Sequence, residues 1–360
     1  MRKKPYVAII YNEPSRSKNM EEKCIFETGN MYGVGNTSNN IVDVNLDMSE
    51  VAVLDEMNDI KTALTTSGFR TVLFNVDSNI IRLFDFLKEH KPDVIFHICE
   101  SIGKESIHEM HVAGIYELMG IPYTGSNALT LGLAQNKARM KEILSYYNMP
   151  TPNFQVFNSF ESIVVKRDLN YPLIVKPLRE DASIGISSDS VVENYNNLCK
   201  QVERVIQQFN QPALVEEYIE GRELNVAIFG NNPPVAFPIS EVDMSTLPSK
   251  YHKIISYNAK WMKGTEEYEN TKGCCPARLP QRIEKQLKEL ALQTYNIIGG
   301  RDYARVDFRL TKDNRPYILE FNPNPDIARD AGFARSAIAS GLTFNDMVKT
   351  IVEYALERVT

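Results

Sequence analysis

The chain carries a single tryptophan, only five cysteines and no surplus of positive charge. The cysteines, at positions 24, 99, 199, 274 and 275, form no CxxC pair and are odd in number, with two adjacent. That usage fits a reducing cytosol better than a disulfide framework. A formal net charge of −6 argues against broad binding to nucleic acid or to an anionic membrane. No stretch approaches the ~20 apolar residues of a spanning helix. The opening MRKKPYVAIIYNEP has a basic start and a short apolar run, which reads as a first strand rather than a signal peptide. Internal repeats and low-complexity tracts are also missing. The expectation is a cytoplasmic protein with no nucleic-acid and no membrane partner.

What is present is an ordinary globular composition, 43% apolar and 24% charged. At 360 residues the chain is long for one core. The apolar runs YVAII, TVLFNV and DVIFHI alternate with helical patterns at 50–66, 79–90 and 106–119. This β-α-β-α-β order implies an open, mostly parallel sheet. Residues 12–48 interrupt it with a polar stretch longer than the ~12–15 residues of an ordinary loop, so it is functional or disordered. A turn at 121–130 leads to one helix over 130–147. Then come FQVF, a helix near 159–168, YPLIVKP, a loop at 179–186, a helix near 191–208 and ALVEEYI. Strands dominate until a helix over 281–297, followed by a hairpin at 305–322 and a terminal helix over 343–357. The implied partition is three domains, 1–122, 123–215 and 216–360.

The hairpin carries the first chemistry. ARVDFRL and YILEFNP pair naturally across the turn TKDNRP. Residues two apart share a face of a strand, so Arg305 and Asp307 lie together, as do Glu320 and Asn322. Burying both apolar rows on one side aligns Asp307 with Glu320 and Asn322. Three oxygen donors on one face suit Mg²⁺, which keeps waters and phosphate oxygens, and suit Zn²⁺ poorly. A solvated strand edge would produce the same pattern.

Lys176 sits in an apolar strand, where an ammonium wants an anion such as a phosphate. An edge lysine explains Lys176 equally well, and Lys137, on a helix with several charges, reads better in isolation as part of a solvated face. REDASIGIS (179–187) combines small and polar residues and can close over phosphates through its N–H groups. In LVEEYIEGRELNV, a strand enters a glycine-marked crossover that can offer its backbone to a base, with Glu223 reaching a ribose hydroxyl. Acidic surface residues around a turn account for the segment equally well. The order is what ties these segments together: lysine on helix, lysine on strand, loop, acidic crossover, then the Asp/Glu/Asn hairpin.

In that order and approximate spacing, GIPYTGSNALTLGLAQNKARMKEIL, YPLIVKPLREDASIGIS, VEEYIEGRELNVAIFG, ARVDFRL and LEFNPNP resemble the ATP-grasp superfamily, in its D-alanine–D-alanine ligase-like branch. The resemblance covers most of residues 90–355. It implies an α/β and α+β chain with the three-domain ATP-grasp fold: an N-terminal parallel-sheet domain, and ATP held between the central and C-terminal domains. It further implies that Lys137 and Lys176 hold ATP phosphates. Glu216, Glu217, Tyr218 and Ile219 frame the adenine, largely by main chain, and Glu223 binds ribose. Lys260 reaches the phosphates, Asp307, Glu320 and Asn322 bind two Mg²⁺ ions (Mn²⁺ being an alternative), Arg305 stabilises a charged intermediate and Ser183 sits in the covering loop. The family's chemistry runs through an acyl phosphate and joins a carboxylate to an amine. The implied partners are small amino-acid or peptide substrates and a second copy of the chain, as a homodimer through the first domain.

Departures fall on the substrate side. The family's first-strand glutamate has only a positional counterpart, Glu13, and its lid tyrosine stands here as Trp261. After NPNP the ligases place a glycine where this chain has Asp326. Their serine–leucine pair falls near Ala331 and Gly332, in DIARDAGFARSA with Arg329, Asp330 and Arg335. Asp326, Arg329 and Arg335 therefore join Glu13 and Trp261 as candidate substrate residues. Two rival readings stay open: the same fold acting on another acceptor, as a carboxylase or an amino-acid-adding enzyme, and a non-catalytic nucleotide-binding module. HICE and HEMH place three histidines and a cysteine within fifteen positions, but a strand end and a half-exposed helix start explain them better than a metal. The stretch 263–273 reads as a solvated, mobile lid, and Cys274–Cys275 receives no redox role.

Overall fold

The structure, a computed structural model, describes residues 4–13, 48–103 and 105–358. Residues 14–47, most of the long polar segment, lie outside the described residues, as does Cys24.

The first unit contains β1 (Tyr6–Tyr11), α1 (Met48–Thr66), β2 (Arg70–Asn75), α2 (Ile80–His90), β3 (Val94–Ile98) and α3 (His108–Met119). Its sheet runs β2-β1-β3, all parallel, as the alternation of elements requires. Both faces are covered, which is why β1 and β3 read as unbroken apolar runs. Val7 and Ile9 face α1 and the last helix of the chain, while Ala8 and Ile10 face α2 and α3. Parallel strands bring their carboxyl ends to one edge, and Asn12 and Glu100 emerge there. The Asn12 side-chain oxygen accepts from the Glu100 N–H at 2.8 Å and fixes those two ends together.

Residues 122–124 add a short parallel bridge beside β3 and lead into α4 (Ala128–Gln135) and α5 (Lys137–Tyr146). The single helix expected over 130–147 is thus two. Asn136 leaves the helical region and its side chain accepts from the Arg139 N–H, so it caps α5 instead of continuing α4. Lys137 is thereby set in the first turn of a new helix and buried. The second sheet, β4-β7-β5-β6, contains β4 (Phe154–Phe157), β5 (Leu173–Pro177), β6 (Val191–Val192) and β7 (Ala213–Glu217), backed by α6 (Tyr195–Phe209). No helix forms at 159–168. The β-branched run Ile163–Val165 disfavours one, and the Gln155 side chain holds the segment by the Val164 carbonyl and the Lys166 N–H.

The third sheet runs β11-β10-β8-β12-β13, with β9 beside β8. It comprises β8 (Arg222–Phe229), β9 (Val235–Ala236), β10 (Ser240–Asp243), β11 (Lys272–Cys274), β12 (Tyr303–Leu310) and β13 (Pro316–Asn322). Two short helices, α7 (Tyr257–Trp261) and α8 (Glu266–Glu269), stand before β11, and α9 (Gln281–Ile298) covers one face. After β13 the chain forms α10 (Gly332–Ala339) and α11 (Phe344–Glu357), which pack against the first sheet's core. α10 was not expected. It begins on a glycine and lacks a side-chain N-cap, so the sequence carries no start signal for it.

Phe333 anchors α10. Its ring is fully buried among Phe229, Phe237 and Tyr303, with centroids 5.6–6.3 Å away. Truncating Phe333→Ala is expected to cost about 3–5 kcal/mol, read from denaturant unfolding. A loss below about 1 kcal/mol would mean that α10 is not held by this cluster.

Candidate active site

The three sheets converge on one cleft of about 850 Å³. On its floor lies the β12–β13 hairpin, in the register expected from the two apolar rows. Asp307 faces Glu320, and Arg305 faces Asn322, with an irregularity after Asp307. The Asp307 carboxylate accepts from Arg305 Nε at 2.7 Å and Nη2 at 2.8 Å, Asn225 Nδ2 at 2.6 Å and Asn322 Nδ2 at 2.9 Å. Asn225 of β8 was missed by the sequence reading, because one polar residue in an apolar strand signals nothing until the register puts it opposite Asp307.

Burial raises the Asp307 carboxyl and Glu320 adds to it, against the lowering effect of Arg305. Burial would raise Glu320 too, yet Lys137, Lys176 and Arg305 together hold it down at about 2. Two apposed carboxyl groups, one raised by burial and the other held ionised by surrounding cations, are what a divalent ion would relieve. Among the described residues no three His, Cys, Asp or Glu side chains converge on a metal position. The donor set is two carboxylates with the Asn322 amide, all oxygen chemistry, and it fits Mg²⁺ rather than a soft metal.

Lys137 comes from α5 and Lys176 from β5, both buried at the cleft wall. Lys137 Nζ donates to the Glu180 carbonyl at 2.5 Å and to Asp181 at 2.7 Å. Lys176 Nζ pairs with Glu216 at 2.5 Å. The main chain of Glu216 is paired on both sides, to Phe154 of β4 and Ile174 of β5. Its contribution to the site is therefore its carboxylate and not the main-chain frame expected of it. The Glu217 and Tyr218 N–H groups are spent on the Asn153 and Pro172 carbonyls. Ile219 is thus the first residue of the crossover whose N–H has no main-chain acceptor among the described residues. Beyond it Glu223 pairs with Arg309 at 2.8 Å, and Arg309 also donates to the Gly221 carbonyl. Burial raises Glu223, and Arg309 opposes that rise.

Over the cleft, Ala182, Ser183 and Gly185 take positive φ, and a side chain at Gly185 would collide with Pro177 and Phe209. The Trp261 indole N–H donates to the Ala182 carbonyl at 2.8 Å, and Lys260 Nζ lies 4.8 Å from the Trp261 ring centroid. Ser183, Lys260 and Trp261 all line the cleft. The following stretch is less solvated than expected: Glu267 of α8 is buried and accepts from Ser256 Oγ at 2.6 Å and Asn258 Nδ2 at 2.9 Å.

The substrate candidates divide. Asp326 and Arg335 line the cleft, where the Arg335 guanidinium lies over Gly273, a position at which any side chain would collide with it. Glu13 and Arg329 do not line it. Glu13 turns away beside Tyr11 and Asn75, because the β1 end that faces the cleft is Asn12. Arg329 pairs with Asp59 at 2.9 Å and stacks on Phe344, tying α1 to α11 on the outside. His97 is buried against Tyr116, and His108 and His111 face each other outside the cleft lining. The end that Glu13 was expected to serve is lined by Glu100, Glu109 and Asp326.

The comparisons with known proteins agree with this architecture. The family described as D-ala D-ala ligase C-terminus matches residues 143–353. The D-alanine–D-alanine ligase of Carboxydothermus hydrogenoformans is 32% identical over 303 residues, 82% of this chain and 90% of that one. That of Pelotomaculum thermopropionicum is 30% identical over 308 residues, 83% of this chain and 90% of the relative. Among solved structures, the Bacillus anthracis D-alanine–D-alanine ligase complexed with ATP superposes with a TM-score of 0.71. It is 21% identical and the match covers 98% of each chain, a likeness of fold.

Glu100 generates a pH prediction. Its side chain is exposed on the cleft, where solvent screens part of its charge. Its carboxyl is pushed up to about 8, first by the surrounding protein displacing bulk water, then by Asp326 and Glu109, with Lys260 opposing and Asp181 adding a little. The folded chain holds this proton more tightly than the unfolded chain, whose carboxyl titrates near about 4.3. This group's contribution to stability therefore falls as pH rises between those two values. Glu100→Gln should gain in melting temperature over the wild type between about pH 5 and pH 8.5. Parallel curves across that range would show that Glu100 ionises normally.

Proposed function

The chain belongs to the D-alanine–D-alanine ligase family, with the ATP-grasp fold, and from that premise we propose that it is an ATP- and Mg²⁺-dependent carboxylate–amine ligase for small amino-acid-like substrates. The observation that carries the reading is the cleft itself, which sets Asp307, Glu320 and Asn322 within the field of Lys137, Lys176 and Arg305.

In this reading the nucleotide lies between the second and third sheets. Lys137 and Lys176 neutralise its phosphates, the crossover at Ile219 meets the base edge, and Glu223, fixed by Arg309, takes the ribose. Asp307, Glu320 and Asn322 would hold Mg²⁺, which supplies charge neutralisation for the transferring phosphoryl group. An oxygen of the substrate carboxylate attacks the terminal phosphorus and ADP leaves. The amine nitrogen then attacks the acyl carbon, the C–O bond to phosphate breaks, and the amine gives up a proton as the amide forms. Arg305 stabilises negative charge at that carbon. The 182–185 loop, latched by Trp261, excludes water that would otherwise hydrolyse the mixed anhydride. Glu100, Asp326 and Arg335 form the substrate end, with acid on one wall and a guanidinium on the other.

The test is the double variant Asp307→Asn with Glu320→Gln. Both changes are isosteric, and with folding checked by circular dichroism the folded variant's ADP formation should fall by at least about 100-fold. Undiminished Mg²⁺-dependent ADP formation would remove the hairpin from the mechanism. A separate change, Trp261→Phe, keeps an aromatic ring but removes the indole N–H that donates to Ala182, along with part of the ring face that Lys260 rests against. It should raise ATP hydrolysis relative to amide formation by about two- to tenfold, and an unchanged ratio would show that the latch does not exclude water.

A further inference from the structure

One buried cation near the nucleotide end is left without a part in the scheme above. Lys141 lies one helical turn beyond Lys137 on α5, so both lysines emerge from the same face. They diverge at their tips, Lys137 towards Asp181 and Lys141 towards Glu216. Lys141 is fully buried, with its Nζ 2.8 Å from Glu216 and donating to Thr151 Oγ1 at 3.0 Å. Thr151 Oγ1 in turn donates to the Ile318 carbonyl of β13 at 2.9 Å, so one ammonium joins α5, β7 and the hairpin that carries Glu320. Across the same carboxylate, 2.5 Å from its other oxygen, sits Lys176.

A buried Lys176–Glu216 pair alone would be neutral, and its carboxylate would pull the ammonium away from an incoming phosphate. With Lys141 on the second oxygen, two ammoniums share one carboxylate and one net positive charge remains on the cleft side. Burial raises the Glu216 carboxyl, but Lys141 and Lys176 together hold it below its usual range, so it stays charged. Burial lowers Lys141, with Lys176 adding to that effect, while Glu216 supports its charge. A cation whose only task was to fill space would be replaceable by an apolar side chain of similar volume.

We infer that Lys141 is a positioning residue for nucleotide binding: by pairing with Glu216 it leaves the Lys176 ammonium fixed and its positive charge uncompensated towards a di- or triphosphate. The inference rests on the nucleotide reading given above. It predicts a selective loss, in phosphate binding and not in base or ribose binding.

The experiment is calorimetric binding of ADP and of adenosine to the full chain, without turnover. Lys141→Met should weaken ADP about tenfold while leaving adenosine within about twofold. Adding Glu216→Gln removes the uncompensated carboxylate, and the double variant should recover ADP affinity to within about threefold of wild type. Equal losses for ADP and adenosine, no loss for ADP, or a double variant as weak as the single one would each overturn the inference. If Lys141→Met does not fold, the double variant decides alone: near-wild-type ADP binding supports the inference and a tenfold loss overturns it. A wild type that binds neither ligand would overturn the functional reading itself, and that result is visible before any variant is made.

Discussion

Asp307 and Glu320 face each other in register on the floor of the cleft, Asp307 buried and Glu320 half-buried. Like charges at that spacing inside a protein destabilise the fold unless cations surround them. Arg305 grips Asp307 from its own strand, Asn225 and Asn322 donate to it from either side, and Lys137 and Lys176 hold Glu320 ionised. Those groups come from β12, β8, β13, α5 and β5. The need to hold this carboxylate pair therefore links the second sheet to the third.

The same arrangement provides function at little further cost. In the proposed reading, the hairpin carboxylates that these cations balance are also the ones that would receive a divalent cation, and the lysines that hold Glu320 ionised would receive the phosphates. The triad Lys141–Glu216–Lys176 repeats that logic at smaller scale, with a carboxylate serving as a clamp between two ammoniums. In the proposed reading, specificity would be drawn from a different place. The carboxyl ends of the parallel first sheet supply Asn12 and Glu100, and α10, packed on the first core through Phe333, supplies Arg335. Nucleotide and substrate ends thus rest on separate structural supports.

What the sequence disclosed follows from this division. The hairpin was legible because two strands with a period-two pattern and a turn between them admit one register that buries both apolar rows. The first sheet was legible from its alternating elements. Asn225, Lys141 and Arg309 were not, because each acts through a partner distant in sequence that only the strand pairing brings near. The break at Asn136 was hidden because no proline or glycine marks it, and α10 by its missing cap. Glu13 and Arg329 were chosen by position in a pattern. The structure turns both aside, since one residue either way at a strand end, or one turn of a loop, decides whether a side chain meets the cleft or the solvent.

The central claim is that a substrate carboxylate takes a phosphoryl group from ATP before an amine displaces it. The most direct measurement supplies ATP, Mg²⁺ and a panel of amino acids and dipeptides labelled with ¹⁸O in the carboxylate, and reads both products by mass spectrometry. The account predicts an amide product together with inorganic phosphate that carries one ¹⁸O atom from the carboxylate. An amide product accompanied by unlabelled phosphate would contradict it, because the carboxylate oxygen would never have bonded to phosphorus.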